Sequence, residues 1–186
     1  EITHSMELSH IKYFGKGALT SSIYYRHTAG KIQRIREVFN EQFAQTFPVN
    51  LSTEDAIGLE VTYNYTLAKW WRLNGDFNFF RSIIEGEYKD QDFDRDAYSW
   101  RTRITSRLTL WKKLDTQVRL NYRAPIESVQ GRTLAIVSTD LGFSMDVLKG
   151  KGTLTFNVRD LFNSRRRRSI TFGANFTAYR EFQWRS

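Results

Sequence analysis

Between Ala56 and Leu67, apolar residues alternate without interruption with small or polar ones. In a β-strand successive side chains point to opposite sides, so a period of two predicts a strand with one apolar and one polar face. The apolar positions of this segment are Ile57, Leu59, Val61, Tyr63, Tyr65 and Leu67.

Eight further segments show a similar alternation, and together they predict nine antiparallel strands. Connections of two kinds separate them. Short turns are predicted at 15–17, 68–70, 112–115 and 149–152, and longer loops at 30–55, 89–97 and 125–133. The predicted strands are residues 1–13, 19–26, 57–67, 72–79, 100–110, 118–124, 141–147, 154–158 and 175–186.

The apolar rows are too numerous and too aromatic for the core of a small sandwich. Aromatic residues make up 15% of the 186 residues, and no stretch approaches the roughly 20 apolar residues of a spanning helix. An all-β, antiparallel transmembrane β-barrel fits better, with apolar rows facing lipid and polar rows facing a lumen. Short turns on one side and long loops on the other are typical of the bacterial outer membrane, and Trp70, Trp71 and Trp111 are predicted to form an aromatic girdle at the short-turn side.

The alternation also predicts which side chains face which way. A shift of one residue in the pairing would exchange the two faces completely. The lumen side is predicted to carry Glu60, Thr62, Arg103, Arg107, Arg119 and Asp140. The lipid side is predicted to carry Leu59, Val61, Tyr63, Tyr65, Ile104, Leu108, Leu120, Leu141, Phe143 and Phe156.

Residues 140–164 resemble the C-terminal barrel of TonB-dependent outer-membrane receptors, in the branch described as the outer membrane protein β-barrel family. The resemblance rests on Leu148-Lys-Gly-Lys at a turn and on the run from Val158 to Asn163, Val-Arg-Asp-Leu-Phe-Asn. It implies that residues 1–186 are a C-terminal portion of a larger barrel, nine consecutive strands of about 22, whose lumen is plugged. The plug domain and the TonB box of that family would then lie elsewhere in the parent chain.

Many basic residues lie within the alternating strands, and the net charge of the chain is +8. An inward row of arginines could bind an anionic substrate. We favour the interpretation that they face carboxylates of a plug domain or of neighbouring strands, such as Glu60 and Asp76, since a polar lumen must be charge-matched. The lumen-facing candidates are Arg72, Arg101, Arg103, Arg107, Arg119, Arg123 and Arg159.

A run of four arginines is the most basic segment of the chain. A bare basic run is a weak signal for nucleic-acid binding. We favour a solvated extracellular extension that contacts lipopolysaccharide phosphates, because the guanidinium group binds phosphate oxygens in pairs. The lipopolysaccharide-contact candidates are Arg165, Arg166, Arg167 and Arg168.

No catalytic, cofactor or metal site is predicted. His4, His10 and His27 have no neighbouring cluster of acidic residues or activated serine in the sequence. The acidic segment from Asp90 to Asp96 lacks the glycine and the terminal glutamate of a calcium-binding loop.

The leading functional hypothesis is the wall of a TonB-dependent receptor that imports a nutrient across the outer membrane. The resemblance implies as partners a plug domain of the same parent chain, the TonB complex acting through that plug, and an unidentified nutrient. Outer-membrane lipid and lipopolysaccharide are further expected partners, and nucleic acid is not. A barrel with a structural, secretion or surface-anchoring role is the alternative, and a barrel enzyme such as a lipase is disfavoured by the missing Ser/His arrangement.

Overall fold

A computed structural model describes residues 1–40, 43–89, 91–111, 113–173 and 176–183, and most of these lie in β-strands. All pairs of adjacent strands are antiparallel. The strands are β1 (Ile2–Phe14), β2 (Gly17–Asn40), β3 (Phe43–Ala68), β4 (Trp71–Tyr88), β5 (Gln91–Asp92), β6 (Arg95–Leu110), β7 (Leu114–Arg123), β8 (Ile126–Ser128), β9 (Gly131–Thr133), β10 (Ile136–Val147), β11 (Gly152–Val158), β12 (Arg166–Gly173) and β13 (Phe176–Gln183).

The larger sheet contains nine strands, and those that follow one another in the chain are mostly neighbours in space. Its order is β1-β2-β3-β4-β6-β7-β10-β11, and β5 pairs with the end of β4. The connections β1–β2, β3–β4, β6–β7 and β10–β11 are all short, as predicted, and the last contains a 3-10 turn at Leu148–Gly150. Lys112, in the third of these turns, lies outside the described residues.

The predicted loop at 30–55 is wrong, because β2 and β3 continue there as one long hairpin. Their pairing runs from Lys31 opposite Ser52 to Asn40 opposite Phe43. The register shifts between Thr28 and Lys31, and again further along. Each such irregularity moves later side chains to the other face, which removes the period of two without ending the strand.

Two other predicted loops also contain strands. In the 89–97 segment, β5 pairs with β4, and β6 begins at Arg95. Asp90 lies outside the described residues. The 125–133 segment forms the hairpin β8–β9, which belongs to a second, four-stranded sheet of order β13-β12-β9-β8. The described residues therefore form thirteen strands, and the predicted count of nine is too low.

The second sheet also corrects the C-terminal prediction. Most of the basic run, predicted as a solvated extension, lies in β12, which pairs with both β13 and β9. The predicted strand at 175–186 corresponds to β13, while Asn175 and residues 184–186 lie outside the described part.

The predicted division between two faces agrees with the register of the larger sheet. Leu59, for example, lies opposite Phe79, and Phe79 lies opposite Trp100. In the same way, Glu60 lies opposite Asn78, and Asn78 lies opposite Arg101. We call the side that carries Leu59 the apolar face and the side that carries Glu60 the polar face. All ten residues predicted for the lipid side share the apolar face, and all six predicted for the lumen side share the polar face.

A small hydrophobic cluster lies at the end of the sheet away from the short turns. Ile35 from the β2–β3 hairpin, Ile84 from β4, Phe93 and Val129 from the β8–β9 turn form it, and Ile35 is only 1% exposed. The Gln130 side chain anchors the same turn to β2, accepting a hydrogen bond from the backbone N–H of Arg36 (2.7 Å) and donating one to its carbonyl (3.2 Å). The long connections are thus packed against one another.

Candidate functional site

The polar face is built from rows of side chains that lie opposite one another on neighbouring strands. One row contains Thr62, Asp76, Arg103, Asn121 and Ser138, on β3, β4, β6, β7 and β10. Directly opposed residues have Cβ atoms about 5 Å apart, so polar groups from five separate segments come within reach of one another. Within this row, Arg103 Nε donates to the side-chain oxygen of Asn121 at 3.2 Å.

The adjacent row brings two arginines directly opposite each other. Glu60 lies opposite Asn78, Asn78 opposite Arg101, and Arg101 opposite Arg123. Like charges placed directly opposite each other destabilise a sheet. The repulsion between Arg101 and Arg123 therefore destabilises this part of the sheet.

Six of the seven arginines predicted to face the lumen lie on the polar face: Arg72, Arg101, Arg103, Arg107, Arg119 and Arg123. Arg159 follows the last residue of β11 and is exposed, so the register of the sheet does not assign it to a face. Arg107 Nε donates to the Gln117 side chain at 2.9 Å.

The run of four arginines is divided by the alternation of β12. Arg165 and Arg167 line a cavity on the polar face of the larger sheet. Arg166 lies 3.6 Å from a carboxylate oxygen of Glu181 on β13, and Arg168 donates to the carbonyl of Ala135 at 3.3 Å. The sequence predicted one role for all four, whereas the structure gives them two different environments.

Asp160 fixes the turn that leads into this run. Its carboxylate accepts hydrogen bonds from the backbone N–H groups of Ser164 (2.9 Å) and Arg165 (2.9 Å) and from the Ser164 hydroxyl (3.1 Å). Partial burial raises the pKa of the Asp160 carboxyl, but these hydrogen bonds outweigh it and hold the pKa below its usual value. Its backbone N–H in turn donates to Asp140 on the polar face at 3.0 Å.

The cavity on the polar face has a volume of about 910 Å³. Five arginines line it, together with the carboxylates Glu60 and Asp76 and the apolar side chains of Ile136 and Phe182. The five are Arg101, Arg103, Arg123, Arg165 and Arg167, and all of them are exposed.

The sequence favoured pairing of these arginines with Glu60 and Asp76, and both carboxylates do line the cavity. However, the ion pairs among the described residues join other side chains, and none includes a cavity arginine. Pairing with plug carboxylates stays a prediction.

The register of β2 adds two features, of which the first follows the alternation of the predicted strand 19–26 and the second could not be recognised in the sequence. Arg26 also lies on the polar face, with its guanidinium carbon 4.5 Å from the Tyr24 ring centre. His27 and Tyr25 both contact Asp55, at 2.8 Å and 2.5 Å, at the end of the apolar face remote from the short turns. The partners are 28 and 30 residues apart in sequence, so only the register of β2 and β3 reveals them.

No group of three or more potential metal ligands is found among the residues that the structure describes. His27 contacts the carboxylate of Asp55, while His4 lies opposite His27 on β1. Nor does the described part of the chain contain an α-helix that could serve as a membrane span.

Comparison with known proteins gives one match. Searches of curated proteins and of solved structures return nothing similar. The model of the outer membrane protein beta-barrel family matches residues 1–186, which is the whole chain, whereas the motifs recognised in the sequence lie in its C-terminal third. The chain therefore belongs to the outer membrane protein β-barrel family, and its place is the bacterial outer membrane.

Proposed function

We propose that this chain forms part of the wall of a TonB-dependent receptor that imports a nutrient across the outer membrane. In this arrangement the apolar face contacts lipid, and the polar face lines the lumen. Exposed side chains such as Leu154 (63%) and Phe156 (60%) are what a lipid-facing surface requires and what a water-exposed sheet avoids.

The observation that carries the transport proposal is the cavity of about 910 Å³ on the polar face. A barrel used only for anchoring needs a lipid-compatible outer surface, but it has no need of an arginine-lined cavity on its inner side. The resemblance of residues 158–163 to TonB-dependent receptors adds the energy source, because in those proteins the TonB complex acts on the plug.

The plug domain would come from elsewhere in the parent chain, and this portion would perform no chemistry itself. A structural, secretion or surface-anchoring role is the second candidate. It is favoured by the packed cluster around Ile35 at the end remote from the short turns, which holds several connections together there.

We propose contact with lipopolysaccharide for only one of the four arginines of the run. Arg166 is exposed and does not line the cavity, so it is the member of the run best placed to meet phosphates outside the barrel. Its neighbour Glu181 would compete with those phosphates, which limits the strength of such a contact.

Two deletion strains test the proposed function. Loss of this protein and loss of TonB should each abolish uptake of the nutrient that it imports, and deleting this protein in a strain that already lacks TonB should add no further defect. A defect in cell-surface integrity that appears on deleting this protein but not on deleting TonB would favour the anchoring role instead.

A further inference from the structure

We propose that the cavity lined by Arg101, Arg103, Arg123, Arg165 and Arg167 is a binding site for the phosphate or carboxylate groups of an anionic ligand. As a statement about what is imported, this rests on the proposed function. The binding itself does not depend on TonB, so the two proposals can fail separately.

The first argument is the charge balance of the cavity. Five guanidinium groups face two carboxylates, those of Glu60 and Asp76, which leaves three positive charges in excess. Arginine keeps its charge at any physiological pH, so this excess cannot be relieved by deprotonation. A cavity with walls of one dominant charge concentrates ligands of the opposite charge.

The second argument is that the pairing of β6 with β7 places two positive charges directly opposite each other at the cavity. Arg101 and Arg123 lie directly opposite each other on β6 and β7. The cost of this arrangement falls when an anion lies between the two guanidinium groups. The pair is therefore placed where a bound anion would stabilise it.

The third argument is the way in which Arg165 and Arg167 reach the cavity. Arg167 lies in β12, which belongs to the other sheet, and Arg165 immediately precedes that strand. Asp160 holds the start of this segment through two backbone hydrogen bonds. Alternation along β12 turns Arg167 toward the cavity while Arg166 faces Glu181. Both sheets thus contribute positive charge to the cavity, so the charge does not come from one strand alone.

The chemistry of the donors points to oxyanions. A guanidinium group offers a planar pair of N–H donors that matches two oxygens of a phosphate or a carboxylate. All five arginines are exposed, so their donors are accessible to a ligand. The cavity volume lies within the range of small-molecule sites, about 300–1,000 Å³, and Ile136 and Phe182 supply apolar contact for the body of a ligand.

The test uses the full polypeptide purified in detergent, with inorganic pyrophosphate and citrate as probes and glucose as a neutral reference. Isothermal titration at low ionic strength should show binding of either or both anions but not of glucose. The binding should weaken steeply as salt is added, because dissolved ions screen the attraction between the anion and the arginines. Glucose binding equal to that of the anions, or no anion binding at low salt, would overturn the proposal.

Substitutions at two positions in the cavity and at one position outside it locate the site. Arg123→Gln and Arg167→Gln should each weaken anion binding by about tenfold or more, since a charge-assisted hydrogen bond is lost. Arg123→Lys should fall between Arg123→Gln and the natural protein, because it keeps the charge but loses the paired donors. The matched control is Arg34→Gln, which removes the same charge from an exposed position of β2 that does not line the cavity and should leave affinity nearly unchanged.

Heat-modifiable migration on a gel shows which variants are folded, and only folded ones are compared. If the control weakens binding as much as the cavity substitutions do, the anions respond to overall positive charge and the site assignment is wrong. If an anion binds and the deletion strains show no link to TonB, the site stands and the import proposal fails.

Discussion

A charge introduced on the apolar face provides a sharp test of how the sheet lies in the membrane. In the proposed orientation, the tryptophan-rich short turns mark one edge of the lipid-facing band, with Trp71 as the first residue of β4. The other edge is marked by the polar row in which Ile83 lies opposite Asp55 and Asp96. These two levels are about twelve residues apart on β4, or roughly 28 Å along the membrane normal at a typical strand tilt.

Val61 lies midway between those levels, since its partner Phe77 is about six residues from each edge of the band. Val61→Arg should therefore place a cation near the middle of the bilayer and destabilise the folded barrel by about 2–4 kcal/mol. Leu108 lies opposite Trp71 at the edge of the band, so Leu108→Arg should cost only about 0–1 kcal/mol.

The control for sidedness is the adjacent residue, Thr62, whose side chain belongs to the polar face and lines the cavity near Asp76. Thr62→Arg should be much milder than Val61→Arg, because the new cation meets water and a carboxylate. Folding of the full polypeptide into phospholipid vesicles, followed by urea titration, gives the free energy of unfolding of each variant. Equal penalties at positions 61 and 62 would refute the assignment of the two faces, and equal penalties at 61 and 108 would refute the depth.

Three further changes test the connections at the other end of the sheet. Gly131→Ala should loosen the β8–β9 hairpin, seen as faster hydrogen exchange, because its φ is +148° and an added Cβ would meet the backbone of β12. Gly15→Ala, in the β1–β2 turn with open space around it, should leave the β8–β9 hairpin unchanged. Gln130→Ala removes both side-chain hydrogen bonds to Arg36 and should increase protease cleavage in 125–133, while unchanged cleavage would show that the hydrophobic cluster alone holds this turn. The folded state lowers the pKa of Asp160, so the carboxylate should stabilise the 160–165 turn fully at neutral pH, and this stabilisation should disappear as the pH falls below about 4 and through the lower pKa. Asp160→Asn should remove this pH dependence. Hydrogen-exchange rates in the turn that do not respond to acid would contradict the assigned role.

The alternation of residue types was sufficient to predict both faces of the larger sheet. Strict alternation from Ile57 to Leu67 survives in the structure because β3 pairs with β2 and β4 there without irregularity until Thr66. Where the pairing shifts, as near Lys31, the side-chain pattern changes face and no longer has a period of two. The predicted loop at 30–55 was wrong for this reason, although its backbone is extended and paired.

The cavity depends on contacts that the sequence pattern does not contain. Arg101, Arg103 and Arg123 could be assigned to one face from alternation, and the structure agrees. Their meeting with Arg165 and Arg167 depends on how β12 leaves the larger sheet after the Asp160 turn, which is a matter of tertiary packing. The basic run looked like a solvated segment because alternation within four identical residues is invisible.

The hairpin of β2 and β3 is long enough for its two halves to have different roles. At about 3.3 Å per residue and a tilt near 45°, the 26 residues of β3 rise roughly 60 Å, about twice the lipid-facing band. The half that carries Val61 meets the requirements of lipid, with one apolar and one polar face. In the proposed orientation the other half of the hairpin lies beyond the lipid, and there Ile35 of β2 is buried against Phe93 and Val129 from later connections. Because that packing joins the hairpin to β8–β9, and β9 pairs with β12, this end of the hairpin also supports the strand that carries Arg167.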